Sequence, residues 1–181
     1  FQAKEGEYKS KALESMLKQI NPSSRIRGVS TPISGSLLAM IGKPDVIIDT
    51  TNSGRLKEDI LKYARSKGIK VISASSGMDR AEMHFFDHSS EQKDVSLAQY
   101  EGNPQGVTTS GIMGGIITEE LRKVIMPLSV SDQPVKRIAY SLASPRRFSP
   151  DDGKLERKDM KDKRILVVGA GALGNFAVLG A

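Results

Sequence analysis

Ile165–Val168 is a short β-rich apolar run, and Gly169, Gly171 and Gly174 follow it directly. The run has the make-up of a buried parallel strand. G-x-G-x-x-G spacing after such a strand is the turn that opens a phosphate-binding βα unit. The first glycine allows the tight turn, the second lets the backbone approach a phosphate, and the third lets the helix pack close to the strand. The helix start then offers free N–H groups and a positive dipole end to an anion. This unit normally opens a nucleotide-binding fold, yet here it stands just before Ala181. A further strand with an acidic ribose contact ordinarily comes after it. The expectation is therefore a fragment, or a domain whose parts are out of their usual order. The loop does not by itself choose between NAD, FAD and ATP.

Composition narrows the class. The 181 residues suit one domain, or one domain and part of another. They are 38% hydrophobic and only 5% aromatic, with no Trp, so an aliphatic core is expected. The formal charge of +6 suits an anionic ligand or partner. It is dispersed, however, and shows no basic-aromatic stripe, so nucleic acid is not an expected partner. The chain has no Cys, which removes disulfides, thiolate zinc sites and a cysteine nucleophile from these residues. No apolar run is long enough to span a membrane and no signal peptide is seen, so the expected location is cytoplasmic.

Hydrophobic spacing predicts a helix over Lys9–Ile20 that ends at Asn21-Pro22, a short strand over Arg25–Ser30, and a short helix over Ser34–Ile41. A buried strand over Asp45–Asp49, a helix over Arg55–Lys67 stopped by Gly68, and a strand over Ile69–Ala74 form a strand–helix–strand unit. Further strands are expected at Ala81–Phe86 and Val135–Leu142, with a loop at His88–Asp94 and a helix over Gly115–Met126. The segment 144–163 reads as a linker or surface stretch, and 164–181 as the glycine-loop unit.

Four further constellations carry chemistry, each with a plainer alternative. Asp49-Thr50-Thr51-Asn52 closes a buried strand, where α/β sheets bind ligands; equally, Thr51 or Asn52 caps the next helix. Lys9 opens a helix, where it contacts a phosphate or is simply solvated. His84 and His88, with Glu82 and Asp87, have metal-ligand spacing for a helix but sit where strand and loop are predicted. Gly111, Gly114 and Gly115 allow close approach of a ligand, or close packing of a helix on a sheet.

Read together, these segments resemble the ubiquitin-activating-enzyme-like superfamily, of the ThiF/MoeB/HesA type. The residues that carry the resemblance are Gly6-Glu-Tyr-Lys9 leading to Ile20-Asn21-Pro22, Asp49-Thr-Thr-Asn-Ser53, Gly68-Ile-Lys-Val-Ile-Ser73, Gly106-Val107 with Gly111, Gly114 and Gly115, Thr118-Glu-Glu-Leu-Arg-Lys123, and Gly169-Ala-Gly-Ala-Leu-Gly174. It implies an α/β fold: a three-layer, Rossmann-like nucleotide-binding domain with a mostly parallel sheet. It implies ATP and Mg²⁺ as ligands, and adenylation of the C-terminus of a small ubiquitin-like or sulfur-carrier protein, by a homodimer. On it, Lys9 holds phosphates. Gly169, Gly171, Ala172 and Gly174 lie against the nucleotide with Thr51. Asp49 and Asn52 line the catalytic metal side, Asp49 as the metal ligand.

The departures are equally specific. The acid of the family's D-x-T-D-N stretch falls on Asn52, whose neutral amide is a poor substitute for a carboxylate toward Mg²⁺. The N-L-N-R-Q stretch and the ribose-binding acid are absent from these residues, and the glycine loop comes last. The order fits a permuted chain, a junction between tandem copies, or missing sequence beyond Ala181, with missing sequence expected. Two alternatives stay open beside adenylation: an NAD(P)-dependent oxidoreductase, and a non-catalytic pseudo-subunit of an activating enzyme.

Overall fold

A computed structural model describes residues 5–87, 100, 104–143 and 147–149. The glycine loop, His88 and most of the 144–164 stretch lie outside the described residues. The elements run α1 (Lys9–Ile20), α2 (Gly35–Ile41), β1 (Val46–Asp49), α3 (Gly54–Lys67), β2 (Lys70–Ser76), β3 (Arg80–Phe86), α4 (Val107–Ile125), β4 (Arg137–Ser141) and β5 (Phe148–Ser149).

The five strands form one sheet in chain order, β1-β2-β3-β4-β5. β1 and β2 pair in parallel through the α3 crossover, with Asp49 opposite Ser73. The three remaining pairs are antiparallel. The α/β, Rossmann-like class therefore stands, but among the described strands its parallel character does not extend beyond β1–β2. The reason is local: a tight turn at Gly77 joins β2 to β3, and so short a connection can only reverse the chain.

Strand alternation sends neighbouring side chains to opposite faces, which creates the layers. On one face, Ile72, Ala74, Ala81, Met83, Phe85 and Tyr140 pack against Met113 and Ile117 of α4. On the other, Val71 and Phe86 pack with Ile60 and Ala64 of α3 and Leu38 of α2. Ile72 and Met83 are fully enclosed, each worth roughly 1.5–3 kcal/mol of apolar burial. The core is not purely aliphatic as expected, because Phe85, Phe86 and Tyr140 occupy it.

Helix ends follow their sequence signals. The Ser34 hydroxyl accepts from the Leu37 amide at 3.2 Å and caps α2. Gly68 ends α3 in the left-handed region, at φ 63°, where a side chain would be strained. Three expectations are corrected. No strand forms at 25–30; there the Gly28 amide donates to the Glu14 carboxylate of α1 at 2.9 Å. Helix α4 starts at Val107 rather than Gly115, and so runs through all three glycines. Burial of Thr109, Met113 and Ile117 along one face outweighs the low helix propensity of glycine. Inside the supposed linker, Phe148–Ser149 adds an edge strand to β4.

Candidate functional site

The carboxyl end of β1 carries a closed polar network. Asp49 is buried on the α3 face. Its Oδ1 accepts from the Thr51 amide at 2.9 Å and the Thr51 hydroxyl at 2.7 Å. Its Oδ2 accepts from Lys57 Nζ at 2.8 Å and the Ser73 hydroxyl at 2.7 Å. Lys57, from α3, is only 2% exposed. It also donates to Ser73 Oγ at 3.0 Å and the Ala74 carbonyl at 2.9 Å. Three donors meet three acceptors, so the ammonium is fully satisfied.

Asn52 faces the end of β2. Its Nδ2 donates to the Ser76 carbonyl at 3.0 Å, and its Oδ1 accepts from the Ser76 amide at 3.3 Å. The helix-capping alternative for Thr51 and Asn52 is not realised, since Ser53 occupies the N-cap of α3 and makes no side-chain cap bond.

Beyond these strand ends, on the α4 side, lies a cleft of about 240 Å³ lined by Thr50, Ala74, Ser75, Ser76, Gln105, Ser110, Met113, Gly114 and Ile117. Its rim is polar, and its floor is the apolar contact between α4 and the sheet. Two links hold the walls together. Ser76 Oγ and Ser110 Oγ are 3.0 Å apart, joining β2 to α4. The Gly106 amide and the buried Thr109 hydroxyl both donate to the Gly77 carbonyl, pinning the start of α4 to the hairpin turn. A β-carbon on Gly106 would come within 2.5 Å of the Met78 carbonyl, so that contact requires glycine. At Gly111, Gly114 and Gly115 an added β-carbon meets nothing within 4 Å. Tight packing on the sheet therefore does not explain these three, and Gly114 opens onto the cleft.

A second buried cluster sits on β3 and β4, on the same face as Asp49. Glu82 Oε1 accepts from Arg137 Nε at 2.6 Å and lies 2.6 Å from His84 Nε2. Burial alone would raise the Glu82 carboxyl. The hydrogen bonds from His84 and Arg137 outweigh it and hold the group below its ordinary value. His84 is thus a strand residue bound to a carboxylate, and among the described residues no group of three or more His, Asp or Glu side chains could hold a metal.

The predicted site residues are therefore only partly brought together. Asp49, Thr51 and Asn52 form one unit. Lys9 is the exposed first residue of α1, a helix that packs on no other described helix or strand. Lys9 makes no hydrogen bond or ion pair to that unit. Gly169, Gly171, Ala172 and Gly174 lie outside the described residues. The Mg²⁺ role expected of Asp49 does not fit its surroundings. Four donors occupy its two oxygens, and a cation there would have to displace the Lys57 ammonium.

Sequence reasoning missed Lys57, Ser73, Ser75, Ser76, Gln105 and Ser110. For Lys57 a signal existed: it shares the buried face of α3 with Ile60 and Ala64. A lysine in the apolar phase of a helix needs a buried partner, and Asp49 was the nearest acid at a strand end. The serines had no such signal, because only tertiary packing brings them to a common cleft.

Among solved structures, the fold is similar to that of E. coli MccB, with 14% identity and a TM-score of 0.63 over 75% of this chain and 44% of that one. A structure of E. coli MccB with ATP matches at 16% identity and a TM-score of 0.63, over 75% of this chain and 45% of that one. PaaA matches at 18% identity and a TM-score of 0.60, over 80% of this chain and 49% of that one. The chain thus spans less than half the length of these structures. No curated protein sequence matches it. The ThiF family matches over residues 2–138, which is most of the chain and contains β1, β2, α4 and the whole of the cleft; the chain belongs to the ThiF family.

Proposed function

We propose that the protein is the nucleotide-binding part of an ATP-dependent activating enzyme, which adenylates the C-terminal carboxylate of a small ubiquitin-like or sulfur-carrier protein. The observation that carries this reading is the cleft at the carboxyl ends of β1 and β2, in a chain of the ThiF family. Such strand ends are where open α/β sheets take their ligands. The match to E. coli MccB, a protein solved with ATP and with MccA, supports ATP as a ligand and a second molecule as its co-substrate.

In the reaction, a carboxylate oxygen attacks the α-phosphorus of ATP, the bond to the β-phosphate oxygen breaks, and pyrophosphate leaves. The protein's part is to position the two reactants and balance charge. Ser76, Ser110 and Gln105 offer hydroxyl and amide donors for the carboxyl-terminal chain of the substrate. Lys9 and the glycine loop at Gly169, Gly171, Ala172 and Gly174 are assigned to the nucleotide phosphates, and Thr51 to the strand end beside them. Asp49 acts by holding that strand end rather than by binding a metal. Asp49, with both oxygens filled by four donors, does not fit Mg²⁺. Partnering as a homodimer and a cytoplasmic location remain part of the proposal. No described helix is long and apolar enough to cross a membrane.

A second reading, a non-catalytic pseudo-subunit that binds nucleotide or partner, is favoured by one observation. Asn52 stands where the family places an acid, and its amide is committed at both atoms to Ser76. Titration of the full-length protein with ATP and with NAD(H), together with pyrophosphate exchange in the presence of a carrier, tests the proposal. Binding of ATP with carrier-dependent exchange supports the enzyme. ATP binding without exchange supports the pseudo-subunit. NAD(H) binding without ATP affinity overturns both.

A further inference from the structure

We propose that Lys57 is a positioning residue for the cleft, acting through Asp49 and Ala74 from the opposite face of the sheet. The inference deepens the functional reading and rests on it only for what the cleft binds.

Lys57 does not itself line the cleft, yet each of its three bonds leads there. One fixes the carbonyl of Ala74, a residue of the cleft wall. One fixes Ser73, beside it on β2. The third engages Asp49 Oδ2, which leaves Oδ1 to close the turn through the amide and hydroxyl of Thr51. That turn fixes the course of Thr50, which lines the cleft, and of Asn52, which grips both backbone groups of Ser76. Ser75 Oγ reaches the Thr51 carbonyl at 3.4 Å, a further tie between the same two strand ends.

The geometry also explains why a lysine stands there. Lys57 is buried, and among the described residues the counter-charge to its Nζ is Asp49, at 2.8 Å. An apolar residue of the same length would fill the space but leave the carboxylate uncompensated and the Thr51 turn with a less firmly held anchor. Lys57 is therefore more than a packing residue: it sets the spacing of β1 and β2 at the end where the ligand enters.

Amide hydrogen exchange and ATP titration on the full-length protein test this, with Lys57→Met, Lys57→Arg, Asp49→Asn and the Asp49→Asn/Lys57→Met double variant. In Lys57→Met, exchange at the Thr51 amide rises and ATP affinity falls, each about tenfold, the scale of one charge-assisted hydrogen bond. Exchange at the Met83 amide, in the fully buried middle of β3, changes only by the loss of global stability that urea unfolding of the same variant reads. Lys57→Arg recovers part of both effects, and the double variant is no worse than Lys57→Met alone. Unchanged Thr51 exchange in Lys57→Met overturns the proposal, and so does an equal rise at Thr51 and Met83, which would mark a purely global role. If Lys57→Met does not fold, Lys57→Arg and Asp49→Asn decide by the same Thr51-to-Met83 comparison. A wild-type protein that binds no ATP removes the functional reading, while the exchange comparison still decides the role of Lys57.

Discussion

Asn52 and Ser76 exchange a donor and an acceptor in both directions across the ends of β1 and β2. The amide thereby does what a backbone pair would do in a longer ladder. Asn52→Asp keeps an acceptor for the Ser76 amide but sets a negative oxygen against the Ser76 carbonyl. The expected cost is about 1–2 kcal/mol, with Asn52→Ala in the same range, read from urea unfolding midpoints at constant slope. An Asn52→Asp variant as stable as the wild type would show that the amide is not a clamp.

Asp49 and Lys57 form a buried pair, 1% and 2% exposed at their side chains. Asp49→Ala leaves the ammonium without its counter-charge, and the expected loss is about 3–5 kcal/mol. Removing both charges in Asp49→Ala/Lys57→Met is expected to cost less than the sum of the two single changes. A double-mutant cycle from denaturant unfolding measures the difference.

The glycines divide into two groups with opposite expectations. Gly111→Ala and Gly115→Ala meet open space inside α4 and are expected to raise stability by about 0.5–1 kcal/mol each. Gly28→Ala and Gly106→Ala drive a β-carbon to 2.3 Å from the Ser10 carbonyl and 2.5 Å from the Met78 carbonyl, and lower stability. Thermal unfolding of the four variants gives the order directly.

Glu14 and Glu82 are two of the carboxylates through which stability depends on acid. Hydrogen bonds from Lys18, the Gly28 amide and Lys11 hold Glu14 down to about 2 from an ordinary 4.5. Glu82 is also lowered, against its own burial, by His84 and Arg137. A lowered folded-state value means that the unfolded chain takes up protons first as the pH falls. Both contributions are therefore present above about 4.5 and are lost as the pH falls below it, that of Glu14 as the pH drops toward 2. Glu82→Gln is expected to flatten the acid limb of the stability profile below about 4.5. A profile that keeps the wild-type slope would contradict the role given to Glu82.

Much of the fold was legible because the periodicity was strong and the stop signals were chemical. Lys9–Ile20 ends at Asn21-Pro22, and α3 stops at Gly68, where only the left-handed backbone is needed. Helix α4 was misread because glycine propensity argued against a helix whose reason lies in the packing of Thr109, Met113 and Ile117 on the sheet. The site was legible in part. A strand ending in Asp49-Thr-Thr-Asn52 pointed to the right end of the sheet, but residue type alone could not tell a metal ligand from a carboxylate saturated by Lys57, Ser73 and Thr51. The cleft itself depends on Ser76 and Ser110 meeting across β2 and α4, which no local spacing encodes.

The central claim is that this ThiF-family chain serves adenylation of a carboxyl terminus. The most direct test is exchange of radiolabelled pyrophosphate into ATP by the full-length protein, with a candidate carrier ending in a free carboxylate and the same carrier amidated at its C-terminus. The account predicts exchange that requires the free carboxylate and is lost when Gly114→Leu fills the cleft. Exchange that is indifferent to amidation or to Gly114→Leu, or no exchange with any carrier while NAD(H) binds, would contradict it.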